Sequence, residues 1–175
     1  MPKLEYIGSG AFRSTEITDA YFPNVEFIGS GAFQWIKSLK SAVLFNASRL
    51  NGYTFNSCYS LTTVNIPKVS IIGAYDFDSC YDLENLNAPL VESIGAYAFR
   101  SCHRLDTIDF EKVSYVGGHA FAGCLLTKAV LPNALTIGSY AFEGCKYLSE
   151  LYLTNVSKAT VAGSNIFSGC DRIQT

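Results

Sequence analysis

A short alternating pattern of apolar and polar residues recurs along the whole chain. In Leu61–Pro67, with the sequence LTTVNIP, the apolar residues Val64 and Ile66 flank Asn65. This two-residue period is typical of a half-buried β-strand. Proline, which cannot donate to a sheet ladder, follows the strand at one position in four copies: Pro23, Pro67, Pro89 and Pro132. The pattern therefore predicts a short strand that ends at this position.

A second apolar stretch follows each strand and leads to a glycine, as in VSIIG at Val69–Gly73. We expect this glycine to supply the positive φ that a chain needs at a corner. The next segment, AYDFDSCYDL at Ala74–Leu83, places its apolar residues about three positions apart, which predicts one turn of α- or 3₁₀-helix. One unit is therefore a strand, a corner, a short strand, a glycine corner and a helical turn.

A phenylalanine marks eight copies of this unit, with successive separations of 21, 22, 22, 22, 22, 21 and 25 residues: Phe12, Phe33, Phe55, Phe77, Phe99, Phe121, Phe142 and Phe167. A unit of about 22 residues cannot bury its apolar face alone, so the copies must stack around one continuous core. The pattern predicts a solenoid with a parallel β-sheet along one face and short strands and helical turns on the other. We interpret residues 1–175 as a single repeat domain. Because no polar capping unit is visible, we expect either a segment of a longer array or ends that a partner covers.

Composition narrows the function classes. The chain is 49 % hydrophobic and 16 % charged with a net charge of −2, and no apolar run approaches the roughly 18 residues of a membrane span. The scattered Lys and Arg residues form no basic stripe, so neither membrane insertion nor nucleic-acid binding is expected. The amino terminus enters the repeat at once, without the charged and apolar regions of a signal peptide.

The six cysteines occupy one column of the repeat, three residues after the phenylalanine: Cys58, Cys80, Cys102, Cys124, Cys145 and Cys170. We interpret them as small buried packing residues, which is the usual environment of a free cysteine. Disulfides between rungs are less favoured because side chains that project in parallel lack the crossed geometry of a bridge. A spacing of about 22 also lacks the close ligand pairs of structural zinc sites. No cofactor or metal is expected.

The two histidines are also explained by the repeat. His119 takes a position that is otherwise tyrosine, and His103 takes another. Consecutive residues on one turn diverge, so Cys102 and His103 do not make a catalytic pair, and we expect no enzyme activity. Asp76 is the one charged residue in a mostly alanine column. We expect it to bond to Thr54 or to corner amides, and its replacement by alanine to cost little.

The strand positions that point away from the core form the candidate binding surface. One column reads Tyr21, Val43, Asn65, Asn87, Asp109, Val130 and Tyr152, and the adjacent column contains Lys128. The candidate partner-binding residues are Tyr21, Asn65, Asn87, Asp109, Lys128 and Tyr152. The middle of this surface is polar and slightly acidic, while its ends carry tyrosine, a residue enriched at interfaces. The alternative is that these are ordinary solvated strand residues.

The segments IGAYAFRSCHRL, at Ile94–Leu105, and IGSYAFEGCKYL, at Ile137–Leu148, resemble the BspA-like leucine-rich repeats. The first two units depart from that pattern, with Thr15 and Ile36 in place of cysteine. The resemblance implies an α/β-type leucine-rich-repeat solenoid from a cell-surface or secreted protein that serves adhesion and partner binding without catalysis. The first functional hypothesis is a module that binds a protein or glycan through the outward strand face. The alternative is a structural spacer or fibre element that self-associates end to end.

Overall fold

The computed structural model describes residues 4–154 and 163–173. Within these ranges every strand pair is parallel, and the chain winds into a solenoid as the repeat predicts. One turn of the solenoid is called a rung below. The strands are β1 (Tyr6–Ile7), β2 (Asp19–Tyr21), β3 (Phe27–Ile28), β4 (Ser41–Val43), β5 (Thr63–Asn65), β6 (Ile71–Ile72), β7 (Asn85–Asn87), β8 (Ser93–Ile94), β9 (Thr107–Asp109), β10 (Tyr115–Val116), β11 (Lys128–Val130), β12 (Thr136–Ile137) and β13 (Glu150–Tyr152).

The three-residue strands line one face, called here the long-strand face. They form two sheets, with the orders β2-β4-β5-β7 and β9-β11-β13. The central residue of each strand points toward the core, as Val64 does between Thr63 and Asn65, so the outer two residues face solvent. The two-residue strands line a second face as β1-β3 and β6-β8-β10-β12. The alternating pattern of the sequence thus predicted both the strands and their inward residues.

The prediction of a helical turn at the phenylalanine is wrong, since the described residues contain no helix. The residues two before and two after Phe77, which are Tyr75 and Ser79, have φ of 60° and 61°. These left-handed residues interrupt any helical path. Some amides bond within the rung and others bond to the next rung. The Cys80 amide donates to the Phe77 carbonyl of its own rung over 3.1 Å, whereas the Phe77 amide donates to the Ala98 carbonyl of the next rung over 2.8 Å.

The glycine after each short strand is also explained differently from our expectation. The corner glycines Gly73 and Gly95 do not have positive φ. A Cβ on Gly95 would instead lie 2.6 Å from the backbone nitrogen of Ala74 in the preceding rung. Glycine is required here because two backbones approach too closely to admit a side chain.

The core is a ladder of parallel phenylalanine rings. The anchor rings of successive rungs, from Phe12 to Phe167, stack with centroids 5.1–5.6 Å apart. Cysteines line the same core: each thiol donates to the carbonyl of an earlier phenylalanine, as Cys80 does to Phe55 over 3.2 Å. All six cysteines are free; five are buried and Cys170 is half-buried. Burial raises the pKa of the Cys58 thiol to about 12.

The histidines extend aromatic stacks, as the column positions predicted. His119 lies between Tyr97 and Tyr140, with ring centroids 4.7 and 5.0 Å away. His103 stacks on Tyr81 at 5.1 Å. Both imidazoles therefore occupy the place of a tyrosine ring, and their role in the described structure is packing.

Asp76 forms the bonds that its unusual column suggested. The carboxylate is fully buried and accepts the backbone N–H of Thr54 over 2.9 Å and that of Gly73 in its own rung. Burial raises its pKa to about 6, although the amide donors oppose this by stabilising the charged form. Asp76 thus provides a hydrogen-bond acceptor for the buried amide of Thr54 and for the half-buried amide of Gly73.

Candidate partner-binding face

The six candidate residues all lie on the long-strand face. The strand register places Tyr21 beside Val43 and Val43 beside Asn65. At the carboxy-terminal end of the same face, Lys128 lies beside Glu150, and Val130 lies beside Tyr152. The sequence therefore placed these residues on one surface correctly.

Asn65 and Asn87 form the middle of this surface and contact each other. The side-chain amide of Asn87 donates to the side-chain carbonyl of Asn65 over 2.9 Å. This bond uses the Asn87 amide nitrogen, so the side-chain carbonyl oxygen of Asn87 is still available as an acceptor. Paired amides of this kind stabilise adjacent strands and also present hydrogen-bonding groups to solvent.

Lys128 and Tyr152 meet at the carboxy-terminal end of the face. The ammonium of Lys128 lies 3.4 Å from a carboxylate oxygen of Glu150 and 5.0 Å from the centroid of the Tyr152 ring. The Tyr152 hydroxyl donates to the same carboxylate over 3.3 Å. Tyr152 still exposes 49 % of its surface. Lys128 and Glu150 therefore fix the orientation of the exposed Tyr152 ring, a contact that sequence spacing alone did not predict.

Tyr21 stands apart from the other candidates, at the amino-terminal end of the face, and exposes 66 % of its surface. Its strand neighbour Asp19 accepts hydrogen bonds from the hydroxyls of Ser41 and Thr18 over 2.6 and 2.8 Å. These donors hold the pKa of the Asp19 carboxyl below its usual value. The end of the face thus pairs an exposed aromatic ring with a fixed negative charge.

The long-strand face is interrupted between β7 and β9, a feature that sequence analysis did not predict. No Cα of β7 lies within 8 Å of a Cα of β9, whereas all other consecutive strands of this face pair directly. A groove of about 540 Å³ occupies the gap, with Leu86, Asn87, Ile108 and Asp109 among its lining residues. Asp109 therefore faces Asn87 across open space, and its carboxylate has no hydrogen bond or ion pair among the described residues.

One sequence signal does coincide with the gap. Ala88 and Phe110 follow β7 and β9 at the same position of the repeat, where other rungs carry Leu44, Ile66 and Leu131. The smallest and one of the largest side chains of this column are thus adjacent at the place where the ladder opens. A comparison of neighbouring rungs, rather than of each rung with the average repeat, would have identified it.

The residues that directly follow four anchor phenylalanines form a polar ladder: Gln34, Asn56, Asp78 and Arg100. Arg100 forms two bonds of 2.9 Å to the buried carboxylate of Asp78, which also accepts the Asn56 amide over 3.1 Å. Gln34 donates to Asn56 over 2.9 Å. Because these groups satisfy each other, the ladder stabilises the stack and offers little to a ligand.

The described ranges contain no cluster of side chains suited to binding a metal ion. No cluster of three or more His, Cys, Asp or Glu side chains able to hold a metal ion occurs within residues 4–154 and 163–173. His119 has one carboxylate neighbour, Glu143, at 3.1 Å. In the same described ranges, no helix is long and apolar enough to cross a membrane.

The family follows from the repeat itself. A model of the BspA type leucine rich repeat region matches residues 1–84 and 70–175, with six copies. The chain belongs to this family. No functionally curated protein sequence is detectably similar to it.

Solved structures share the same architecture. A leucine-rich repeat protein from Bacteroides ovatus is 26 % identical over 75 % of this chain, with a TM-score of 0.60. This chain spans 42 % of the length of that protein. The leucine-rich repeat protein of T. pallidum is 21 % identical over 99 % of this chain and 86 % of its own length, with a TM-score of 0.82. The latter similarity establishes the fold alone.

Proposed function

We propose that this chain is a non-catalytic binding or adhesion module of a cell-surface or secreted protein. Its long-strand face binds a protein or glycan partner. The observation that carries the proposal is the outward column of β2 to β13, which exposes tyrosine at both ends and polar acceptors in the middle. Tyrosine is enriched at interfaces and at binding hot spots, and polar groups beside it supply hydrogen bonds.

Rigidity is the second argument. Side chains such as Lys128 and Tyr152 are already oriented by Glu150, so little conformational entropy is lost when a partner contacts them. The parallel ladder fixes the spacing of the column within β2-β4-β5-β7 and within β9-β11-β13, and each rung there adds one more contact position. BspA type repeats are generally associated with interaction and adhesion rather than catalysis, which agrees with this arrangement.

The experiment compares two matched pairs of tyrosines. The purified chain is tested on a glycan array and against a panel of immobilised extracellular proteins. We expect Tyr21→Ala with Tyr152→Ala to weaken the interaction at least tenfold, because hot spots are enriched in tyrosine. The control replaces Tyr6 and Tyr115, which are 61 % and 44 % exposed on the short-strand side.

Both double variants should retain the wild-type melting temperature, since all four rings lie at the surface. Equal loss of binding in the two double variants would contradict the assignment to the long-strand face. A partner that binds wild type and the Tyr21/Tyr152 variant equally well would do the same.

A further inference from the structure

We propose that the gap between β7 and β9 is a strand-insertion site, which binds an extended peptide segment of a partner protein. The segment would lie parallel to β7 and β9 and pair with both through its backbone. This inference rests on the proposed function, since it names the partner class for one part of the same face. It goes further by assigning the recognition to backbone hydrogen bonds rather than to surface side chains alone.

The separation of β7 and β9 exceeds that of paired strands. Paired strands lie about 4.8 Å apart, so two strands separated by one vacant position lie roughly 9.6 Å apart. The Cα atoms of β7 and β9 are more than 8 Å apart, which is too far for direct pairing. On the other side of the same rungs, β6, β8 and β10 pair normally, so the rungs separate only at the long-strand face.

The edges of the gap present unpaired backbone groups in register. Asn85 and Asn87 use their amides and carbonyls to pair with β5, so the groups of Leu86 point toward the gap. On the opposite edge, Ile108 pairs with β11, which leaves the groups of Thr107 and Asp109 facing the gap.

The bonds that the repeat would form here are missing. The amide of Ile66 donates to Asn87 over 2.9 Å, and that of Phe110 donates to Val130 over 3.0 Å, but the equivalent bond from Ala88 to Asp109 is absent. An inserted strand would satisfy both edges at once, which no side-chain ligand or glycan can do with the same spacing. This is the physical basis of β-strand addition.

Side chains around the gap define the chemistry of the segment. Leu86 and Ile108 are the inward residues of the two flanking strands, so the central residue of the inserted strand should be apolar. On the outward side, the free carbonyl oxygen of Asn87 and the unpaired carboxylate of Asp109 are both acceptors. A lysine or arginine at the outward position would lie between them. The predicted partner motif is therefore an apolar residue followed by a basic one, in an extended segment without intervening proline.

A peptide designed on the chain's own repeat tests the proposal. The probe is Leu-Thr-Thr-Val-Lys-Ile-Pro with blocked ends, which is Leu61–Pro67 with lysine at the outward position. Titration calorimetry should show one peptide bound per chain. N-methylation of the Val and Lys amides removes the backbone donors toward the two edges and should abolish binding, whereas N-methylation of the first Leu should not.

The charge preference is tested in the protein. Exchanging Lys for Glu in the probe should weaken binding roughly tenfold, and Asp109→Asn should remove most of that difference. Glu92→Gln, an exposed carboxylate on the other side of the rung, is the matched control and should change nothing. Hydrogen exchange should show that the peptide protects the amides of Ala88 and Thr107.

Two results would overturn the insertion site. One is equal binding of the N-methylated and unmodified probes, or no protection of Ala88 and Thr107. The other is protection of these amides in a concentration-dependent oligomer without peptide, which would assign the gap to a second copy of the chain. Either result leaves the tyrosine test above unaffected, so failure of this site is distinguishable from failure of the proposed function.

Discussion

The side-chain amide of Asn51 donates to the backbone carbonyl of Ile28 over 2.7 Å. At Gly29 and Gly95 the glycine amide makes the equivalent bond, to Ile7 and to Ile72, over 2.8 Å in each case. A Cβ at the corner glycines Gly29 and Gly95 would clash with the preceding backbone. At Asn51, which carries a side chain, the side-chain amide makes the bond in place of the backbone amide. The short-strand sheet is interrupted at the same place, where Arg49 forms only an isolated bridge to Ile71.

Asp76 completes this rearranged corner. Where glycine is present, the alanine amide closes the turn, as Ala98 does to Gly95 over 3.4 Å. Thr54 cannot make that bond next to Asn51, and its amide donates to Asp76 instead. The amide of Gly73 also turns to Asp76 rather than to the preceding rung. Asn51 and Asp76, which replace the usual glycine and alanine of the repeat, therefore belong to one rearranged corner.

We accordingly expect Asp76→Ala to destabilise the chain, in contrast to the expectation from its column alone. The variant would leave the buried N–H of Thr54 and the half-buried N–H of Gly73 without partners, at a cost of up to about 1–3 kcal/mol each, partly offset by removal of a buried charge. Urea titration at pH 7 should show a net loss of about 2 kcal/mol. Adding Asn51→Gly and Gly52→Ala, which restores the usual corner, should recover most of it.

This double-mutant cycle distinguishes coupling from simple loss of packing. The Asn51→Gly/Gly52→Ala variant without the Asp76 change is the control, since it leaves a carboxylate buried without its donors. If Asp76→Ala costs the same in both backgrounds, the two positions are independent and the coupled interpretation is wrong.

Asp76 should also make stability depend on pH. Its carboxyl keeps a proton up to about pH 6 in the native state, whereas the unfolded chain releases it near the usual pKa of 3.8. Between these values the native state binds more protons, so the free energy of unfolding falls as pH rises. The loss attributable to Asp76 is of the order of 3 kcal/mol.

The measurement is the difference in unfolding free energy between wild type and Asp76→Ala from pH 4 to pH 7 at constant ionic strength. Other carboxylates titrate in both proteins and cancel. The advantage of wild type over Asp76→Ala should shrink by about 3 kcal/mol as pH rises toward 6, and about 2 kcal/mol of it should remain at pH 7. A difference that is constant, or that grows with pH, would contradict the raised pKa.

The repeat predicted the fold because Val64, Phe77 and their equivalents recur in every rung, so one local pattern fixes the whole stack. It did not predict the turn geometry, because the spacing of Phe77 and Cys80 is the same in a helix and in the observed turns. It placed Asn87 and Asp109 on one face correctly but not their separation. That separation depends on contacts between unlike neighbours such as Ala88 and Phe110, which a repeat average removes.

The cysteines of the native protein should react with a thiol reagent in two classes, one fast and one slow. In denaturant without reductant, a thiol reagent should find six free thiols. In the native protein, Cys170 should react first because it is half-buried, and the five buried thiols should react only through unfolding. The raised pKa of Cys58 further suppresses its thiolate. Recovery of two or fewer thiols in denaturant would show disulfides and contradict the packing role.

Phe110 should hold the gap between β7 and β9 open. Its ring is buried after β9 and tilted against Phe99, with centroids 6.2 Å apart, and it lies one rung above the small Ala88. Leucine occupies the same position at Leu131, where β11 and β13 pair normally. We expect Phe110→Leu to let β9 approach β7 and form ladder bonds, which would slow hydrogen exchange of the Thr107 amide at least tenfold.

Phe22→Leu is the matched control, because Phe22 occupies the same column beside the paired strands β2 and β4. It should leave exchange at Thr107 unchanged. The Phe110→Leu variant should also lose affinity for the lysine probe while keeping its cooperative unfolding, since a closed ladder has no vacant strand position. Fast exchange at Thr107 in Phe110→Leu would mean that the separation is set elsewhere in the two rungs. In that case the size of this side chain would not control access to the gap.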